Sequence, residues 1–192
     1  MDLVTRAKNI TLTPDSEWRV IEGEPATTGE LLTGYALPLA AIGAVAGFVG
    51  SWLLSAILPF AGTSFLTGLI AAVFGLGMTL VMCFVLSLII DALAPTFGGQ
   101  KNQIQALKLA VYSFTPAWLA GVLRIVPLLG VLIFFAALYS IYVLYLGVPR
   151  LMKSPQDQAV AYTAVVVVCA MVLGFIVFAM AGLFLGASLL MR

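Results

Sequence analysis

The stretch QIQALKLAVYSFTPAWLAGVLRIVPLLGVLIFFAALYSIYVLYLG, Gln103 to Gly147, sets two apolar runs back to back with only Arg124-Ile125-Val126-Pro127 between them. Each arm, Ala106 to Leu123 and Leu128 to Leu146, is close to the roughly 17–25 residues that carry a helix across a hydrocarbon layer of about 30 Å. A four-residue hinge leaves no room for anything but antiparallel neighbours, so the stretch reads as a membrane hairpin.

Composition agrees. The 192 residues are 62% hydrophobic and 9% charged, whereas soluble domains are roughly half apolar and a quarter charged. The net charge is +1 with no basic cluster, which argues against nucleic acid as a partner. The chain has no histidine, so imidazole metal sites and His-based catalytic dyads and triads are excluded. Neither a catalytic residue nor a metal or cofactor site is expected, and the chain does not read as an enzyme. Cys83 and Cys169 lie in apolar runs and count as small hydrophobes.

Working outward gives an all-α membrane protein, a bundle of five spans at about 32–58, 65–90, 106–123, 127–146 and 159–190, preceded by a cytoplasmic or interfacial segment, residues 1–31. That polar segment of about thirty residues stands where a short basic leader would stand, so the first span is expected to stay in the mature chain. Leu3, Val4, Ala7 and Ile10 share one helical face, suited to a short helix on the membrane surface. Thr13-Pro14-Asp15 starts a second short helix in which Trp18 is the expected interface anchor. Thr27 and Glu30 have the spacing of a capping box just before the first span.

Gly43, Gly47, Ser51 and Ser55 recur every fourth residue in the first span, a small-residue seam for close helix packing. The second span carries Thr67, Ala71, Gly75, Thr79, Cys83, Ser87 and Asp91 at the same step, and the last carries Gly182 and Gly186. Such seams suit a protein partner or a second copy of the chain. Pro59 to Ser64 reads as an uncharged turn, and Asp91 to Asn102 as a polar connector with Gly98-Gly99 at its bend. Pro116 is expected to kink the third span, with Thr115 capping the freed carbonyls, and Pro127 to begin the fourth. Gly147 to Lys153, containing Pro149, reads as a loop, and Ser154-Pro155-Gln156-Asp157 as the start of the last helix.

In order along the chain, Phe97-Gly98-Gly99, Tyr112, Thr115-Pro116, Pro127, Gly130, Tyr139-Ser140 and Gly147 follow Ile10 to Pro14, Glu17-Trp18, Ile21, Glu24-Pro25, Tyr35 and Pro38. This ordered set resembles the integral-membrane Ypt-interacting protein (Yip) family in its bacterial branch. The resemblance implies five membrane helices with a cytoplasmic N-terminus; eukaryotic members act in early secretory traffic and bind prenylated small GTPases. The Asp-Leu-Tyr-Gly-Pro motif of those members is replaced here by a bare Gly34-Tyr35, so GTPase binding does not carry over.

Charge gives the same orientation independently. Arg6, Lys8, Arg19, Lys101, Lys108, Arg150 and Lys153 fall on one side and Arg124 and Arg192 on the other. The positive-inside rule then places the N-terminus in the cytoplasm and the C-terminus opposite, as in a bacterial inner membrane. Asp91, Lys108 and Arg124 lie close enough to hydrocarbon to be costly unless paired, which makes them site candidates together with Tyr112 and Thr115. An Asp91–Lys108 pair is one expectation. Two functions follow: a scaffold or adaptor presenting its N-terminal segment to a partner, or a small transporter or channel whose polar path runs along Thr79, Cys83, Ser87 and Asp91.

Overall fold

A computed structural model describes residues 2–57 and 64–190, and no strand occurs among them. Two short helices, α1 (Leu3–Leu12) and α2 (Pro14–Gly23), come first. A π-helical turn, Glu30–Ala36, leads into α3 (Leu37–Ile57), and α4 (Phe65–Leu93) ends in a 3-10 turn, Ala94–Phe97. The third run is broken into α5 (Gln103–Ser113), α6 (Thr115–Ala120) and 3-10 turns at Gly121–Ile125 and Pro127–Gly130. Two long helices, α7 (Val131–Leu151) and α8 (Ala159–Leu190), complete the bundle. Glu30–Ser55, Phe65–Phe97, Gln103–Ile125, Leu128–Leu151 and Ala159–Met180 are long and apolar enough to cross a membrane.

Local chemistry explains the element ends. Thr27 N–H donates to Glu30 Oε2 at 2.8 Å and Glu30 N–H to Thr27 Oγ1 at 3.2 Å, the reciprocal cap read from their spacing. Pro38 has no amide to offer the Gly34 carbonyl, and just before it the Leu37 amide reaches back to Leu32, five residues away. Gly98 holds a φ of 67°, a left-handed conformation that glycine adopts without a Cβ penalty. The Gly99 amide returns to the Ala94 carbonyl at 2.8 Å, which closes the connector.

Two boundaries differ from the sequence reading, and a third cannot be compared. Gly147 to Leu151 is helical, so Pro149 lies inside α7; the bond it forgoes, to the Tyr145 carbonyl, falls in the final turns. Ser154 caps nothing in α8. Its hydroxyl donates to the Phe97 carbonyl at 2.7 Å, tying two loops together, and α8 begins at Ala159. The turn expected at 59–64 lies outside the described residues except Ser64, whose hydroxyl accepts the Thr67 amide at 3.3 Å.

The bundle has two unlike ends. The third span is the most buried of the five, so the others surround it. The core gathers Leu86 and Ile90 of α4, Leu107 to Val111 of α5, Val143 and Val148 of α7 and Tyr162 of α8, closed over by Ala7, Ile10, Trp18 and Ile21 of α1 and α2. Away from this end Phe65, Val73, Leu128, Phe134, Phe135 and Phe175 point outward, the surface expected against lipid.

Candidate functional site

Arg6 is on the inward face of α1, one turn from Ile10, and is only 3% exposed. Its guanidinium pairs with Glu17 of α2, itself 4% exposed, and with Glu24 just beyond α2. Burial works against the guanidinium charge, yet the Glu24 hydrogen bond and the charges of Glu24 and Glu17 outweigh it and hold Arg6 above its ordinary value. A buried charge is tolerated only when paired in this way, so Arg6 commits α1 and α2 to one arrangement.

Lys108 of α5 completes the fastening. Its ammonium, 2% exposed, donates to the Ile21 carbonyl at 2.8 Å and to the Glu24 carbonyl, while Gln105 Nε2 donates to the Glu22 carbonyl at 3.0 Å. These are the orphan carbonyls at the end of α2, where the helix dipole favours a cation. The expected Asp91–Lys108 pair does not form among the described residues. Lys108 is engaged with α2, and Asp91 Oδ1 is buried without a hydrogen-bond partner.

Tyr112 stands at the centre. Its ring meets Tyr35 edge-on at 4.6 Å and Trp18 at 6.3 Å, with the Arg6 guanidinium 5.8 Å from its centroid. Tyr35 Oη and Thr115 Oγ1 are 3.0 Å apart, so Thr115 bonds the π-helical turn rather than the carbonyls around Pro116. Trp18 is fully buried, not an interface anchor, and its indole N–H donates to the Val143 carbonyl at 3.0 Å. Tyr139 Oη donates to the Thr11 carbonyl at 2.7 Å. Gly147 makes room for this: a Cβ there would stand 2.5 Å from Leu109 Cδ1 and 2.7 Å from Trp18 Cε2.

Of the sequence candidates, Lys108, Tyr112 and Thr115 therefore meet in one site, while Asp91 and Arg124 stay apart from it. Arg124 sits in the 3-10 turn that ends the third span, near Gly43 and Gly47. There the first seam closes, since a Cβ on Gly121 would be 2.8 Å from Gly43 Cα. Gly75 and Gly182 have open space where a Cβ would go, and Gly186 lies where no side-chain surroundings are described. Pro116 enters α6 in its first turn, and Pro127 opens the 3-10 turn before α7. Along α4, Thr79 Oγ1 donates to the Gly75 carbonyl at 2.9 Å, Ser87 Oγ to Phe84 at 2.7 Å, and Gln103 Nε2 to Ser87 Oγ at 2.9 Å. The hydroxyls of Thr79 and Ser87 are thus satisfied within and between helices, whereas Asp91 Oδ1 is not.

Glu17, Glu24 and Tyr35 entered the sequence reading only through the family resemblance and Arg6 only as one of the orienting cations; none was a site candidate. The available signal was a cation on the same face as Ala7 and Ile10, and an acid beside the aromatic of an apolar face. Outside this cluster an ionic rim joins α2 to the end of α7. Arg150 reaches Asp15 at 3.3 Å, Arg19 reaches Asp15 at 2.9 Å, and Lys153 pairs with Glu22. Arg19 and then Arg150 hold the Asp15 carboxyl below its ordinary value. The rim borders a concavity of about 440 Å³ that includes Tyr145, Pro149 and Gln156. No group of three His, Cys, Asp or Glu that could hold a metal occurs among the described residues.

The sequence matches the Yip1 domain family over residues 8–179. It is 29% identical over 160 residues to the inner membrane protein YohC of Escherichia coli K12, covering 79% of this chain and 80% of that protein. YohC of Escherichia coli O6:H1 strain CFT073 gives the same values. No solved structure matches.

Proposed function

We propose that this chain, which belongs to the Yip1 domain family, works as a membrane scaffold or adaptor and not as an enzyme. In this reading the fastened N-terminal helices and the end of α7 form one preorganised face for a protein partner. The observation that carries it is the buried Arg6–Glu17–Glu24 cluster with Lys108, which turns a polar N-terminal segment into a fixed part of the bundle. A fixed face loses little further ordering entropy when a partner docks. Its charged rim of Asp15, Arg19, Glu22, Arg150 and Lys153 suits a polar protein surface better than lipid.

The cation count supports a cytoplasmic position for this face, and the YohC relatives support a bacterial inner membrane. The test is affinity capture of the tagged full chain from detergent-solubilised membranes, comparing wild type with Arg19→Glu/Arg150→Glu/Lys153→Glu. The substitutions alter rim charges and leave the Arg6 cluster intact. Loss of specific partners at unchanged melting temperature is expected; an unchanged partner set would refute the docking face. Deletion of residues 1–30 is a poorer test, because it removes the Ile21 and Glu24 carbonyls that hold buried Lys108.

A further inference from the structure

A second cavity, of about 850 Å³, lies between α3, α4 and the α6 to Ile125 segment, and Arg124 is the one charged residue among its described lining residues. We propose that this cavity binds an organic monocarboxylate with a compact apolar body, its carboxylate paired with the Arg124 guanidinium.

The placement of Arg124 leads there. Its backbone is held against α3, since a Cβ on Gly50 would stand 2.2 Å from the Arg124 carbonyl oxygen. From that level the stem passes Gly47, where a Cβ would be 3.7 Å from Arg124 Cδ, and Nη1 reaches the level of Gly43, at 4.0 Å from a Cβ there. The side chain therefore runs back along about two turns of α3, to the middle of the first apolar span, Glu30–Ser55. A charge in such a position is costly unless it has a partner. All eight Asp and Glu residues are among the described ones, yet none of them lines the cavity and none of the described ion pairs includes Arg124. Arg124 is exposed, so its donors are open to an anion from outside the chain.

The remaining walls define that anion. Phe48, Phe114 and Trp118 give the cavity aromatic surface. Ser51 Oγ donates to the Phe48 carbonyl at 2.8 Å and Thr79 Oγ1 to the Gly75 carbonyl at 2.9 Å, so both protons are spent within their own helices. Arg124 is left as the principal donor. One guanidinium pairs with one carboxylate through two parallel hydrogen bonds and neutralises one charge. A second charge on the ligand would meet no counterpart, and an inorganic anion would leave the aromatic wall uncovered. The volume lies within the roughly 300–1,000 Å³ typical of small-molecule pockets.

The experiment is equilibrium dialysis of naphthoate against the full chain in phosphatidylcholine nanodiscs, with uptake by empty nanodiscs subtracted. Wild type should bind naphthoate saturably, one per chain. The matching naphthalenemethanol, which lacks the charge, and the naphthalenedicarboxylate, which carries a second, should each bind about tenfold more weakly, and inorganic phosphate should not compete. Arg124→Gln should weaken naphthoate binding about tenfold, as loss of a charge-assisted pair predicts. Gly75→Leu is the second variant: it fills the cavity from the α4 wall, where a Cβ meets nothing within 4 Å, and should weaken binding at unchanged melting temperature. No saturable binding by wild type, equal binding of the alcohol or the dicarboxylate, displacement by inorganic phosphate, or undiminished binding by Arg124→Gln or Gly75→Leu would each overturn the proposal.

Discussion

Replacing Arg6 by Met separates a buried ionic fastening from an ordinary surface pair. Methionine keeps most of the apolar stem but leaves Glu17, whose side chain is 6% exposed, with no cation beside it. Removing one member of a buried pair typically costs about 3–5 kcal/mol, because the remaining charge is stranded. Glu24 adds less, since its side chain is 40% exposed and water can replace the lost partner. The matched control is Arg19→Met, which breaks an i,i+4 pair with side chains 62% and 55% exposed and should change stability little. Converting Glu17 to Leu as well removes the stranded charge, so Arg6→Met/Glu17→Leu should recover much of the loss. The assay is unfolding in mild detergent followed by tryptophan fluorescence, with Trp18 reporting release of the N-terminal helices from Val143. If Arg6→Met is no more harmful than Arg19→Met, or if the double variant shows the sum of its single losses, the buried cluster does not fasten this segment.

Gly147→Ala should destabilise by about 1–3 kcal/mol through overpacking against Trp18 and Leu109, read as a lower detergent melting temperature. Lys108→Met should cost about 1–3 kcal/mol by leaving α2 carbonyls unpaired. Adding Asp91→Asn should then be additive in a double-mutant cycle, whereas coupling between the two would restore the ion pair that the structure replaces. Asp15 sets a pH dependence: its carboxyl is held low by Arg19 and Arg150, so its contribution is present above the ordinary carboxylate range and is lost as pH falls through the depressed value. Hydrogen-exchange protection at α2, taken relative to the intrinsic rate at each pH, should therefore fall at acid pH in wild type and change less in Asp15→Asn.

How much of this was legible depended on whether the cause was local. The apolar runs and the Thr27–Glu30 cap follow from neighbouring residues, and the break at Pro116 follows from one missing amide. The fastening could not be read this way, because Lys108 joins Ile21 across 87 positions and Trp18 joins Val143 across 125. A sequence shows that Lys108 needs a partner, and Asp91 on the neighbouring span was a reasonable candidate. The carbonyl end of α2 is the partner instead, and only the fold brings it there. Trp18 misled for a related reason: indole suits both a membrane interface and a buried site with one acceptor, and Gly147 decides between them by leaving room for the ring.

The break in the third span also marks where the two ends of the bundle meet. Residues 106–113 are buried on every side, so α5 behaves as the centre of a globular core. Beyond the break, Ala117, Trp118, Gly121 and Arg124 line an opening between α3 and α4 instead. Pro116 lies in the first turn of α6, where a missing amide is readily tolerated, and the bond it withholds is the one that would have continued α5 without interruption. The Tyr35–Thr115 hydrogen bond holds the junction from the side of the first span. The turn at Phe114 thus joins the fully buried α5 to a segment whose residues line the opening between α3 and α4.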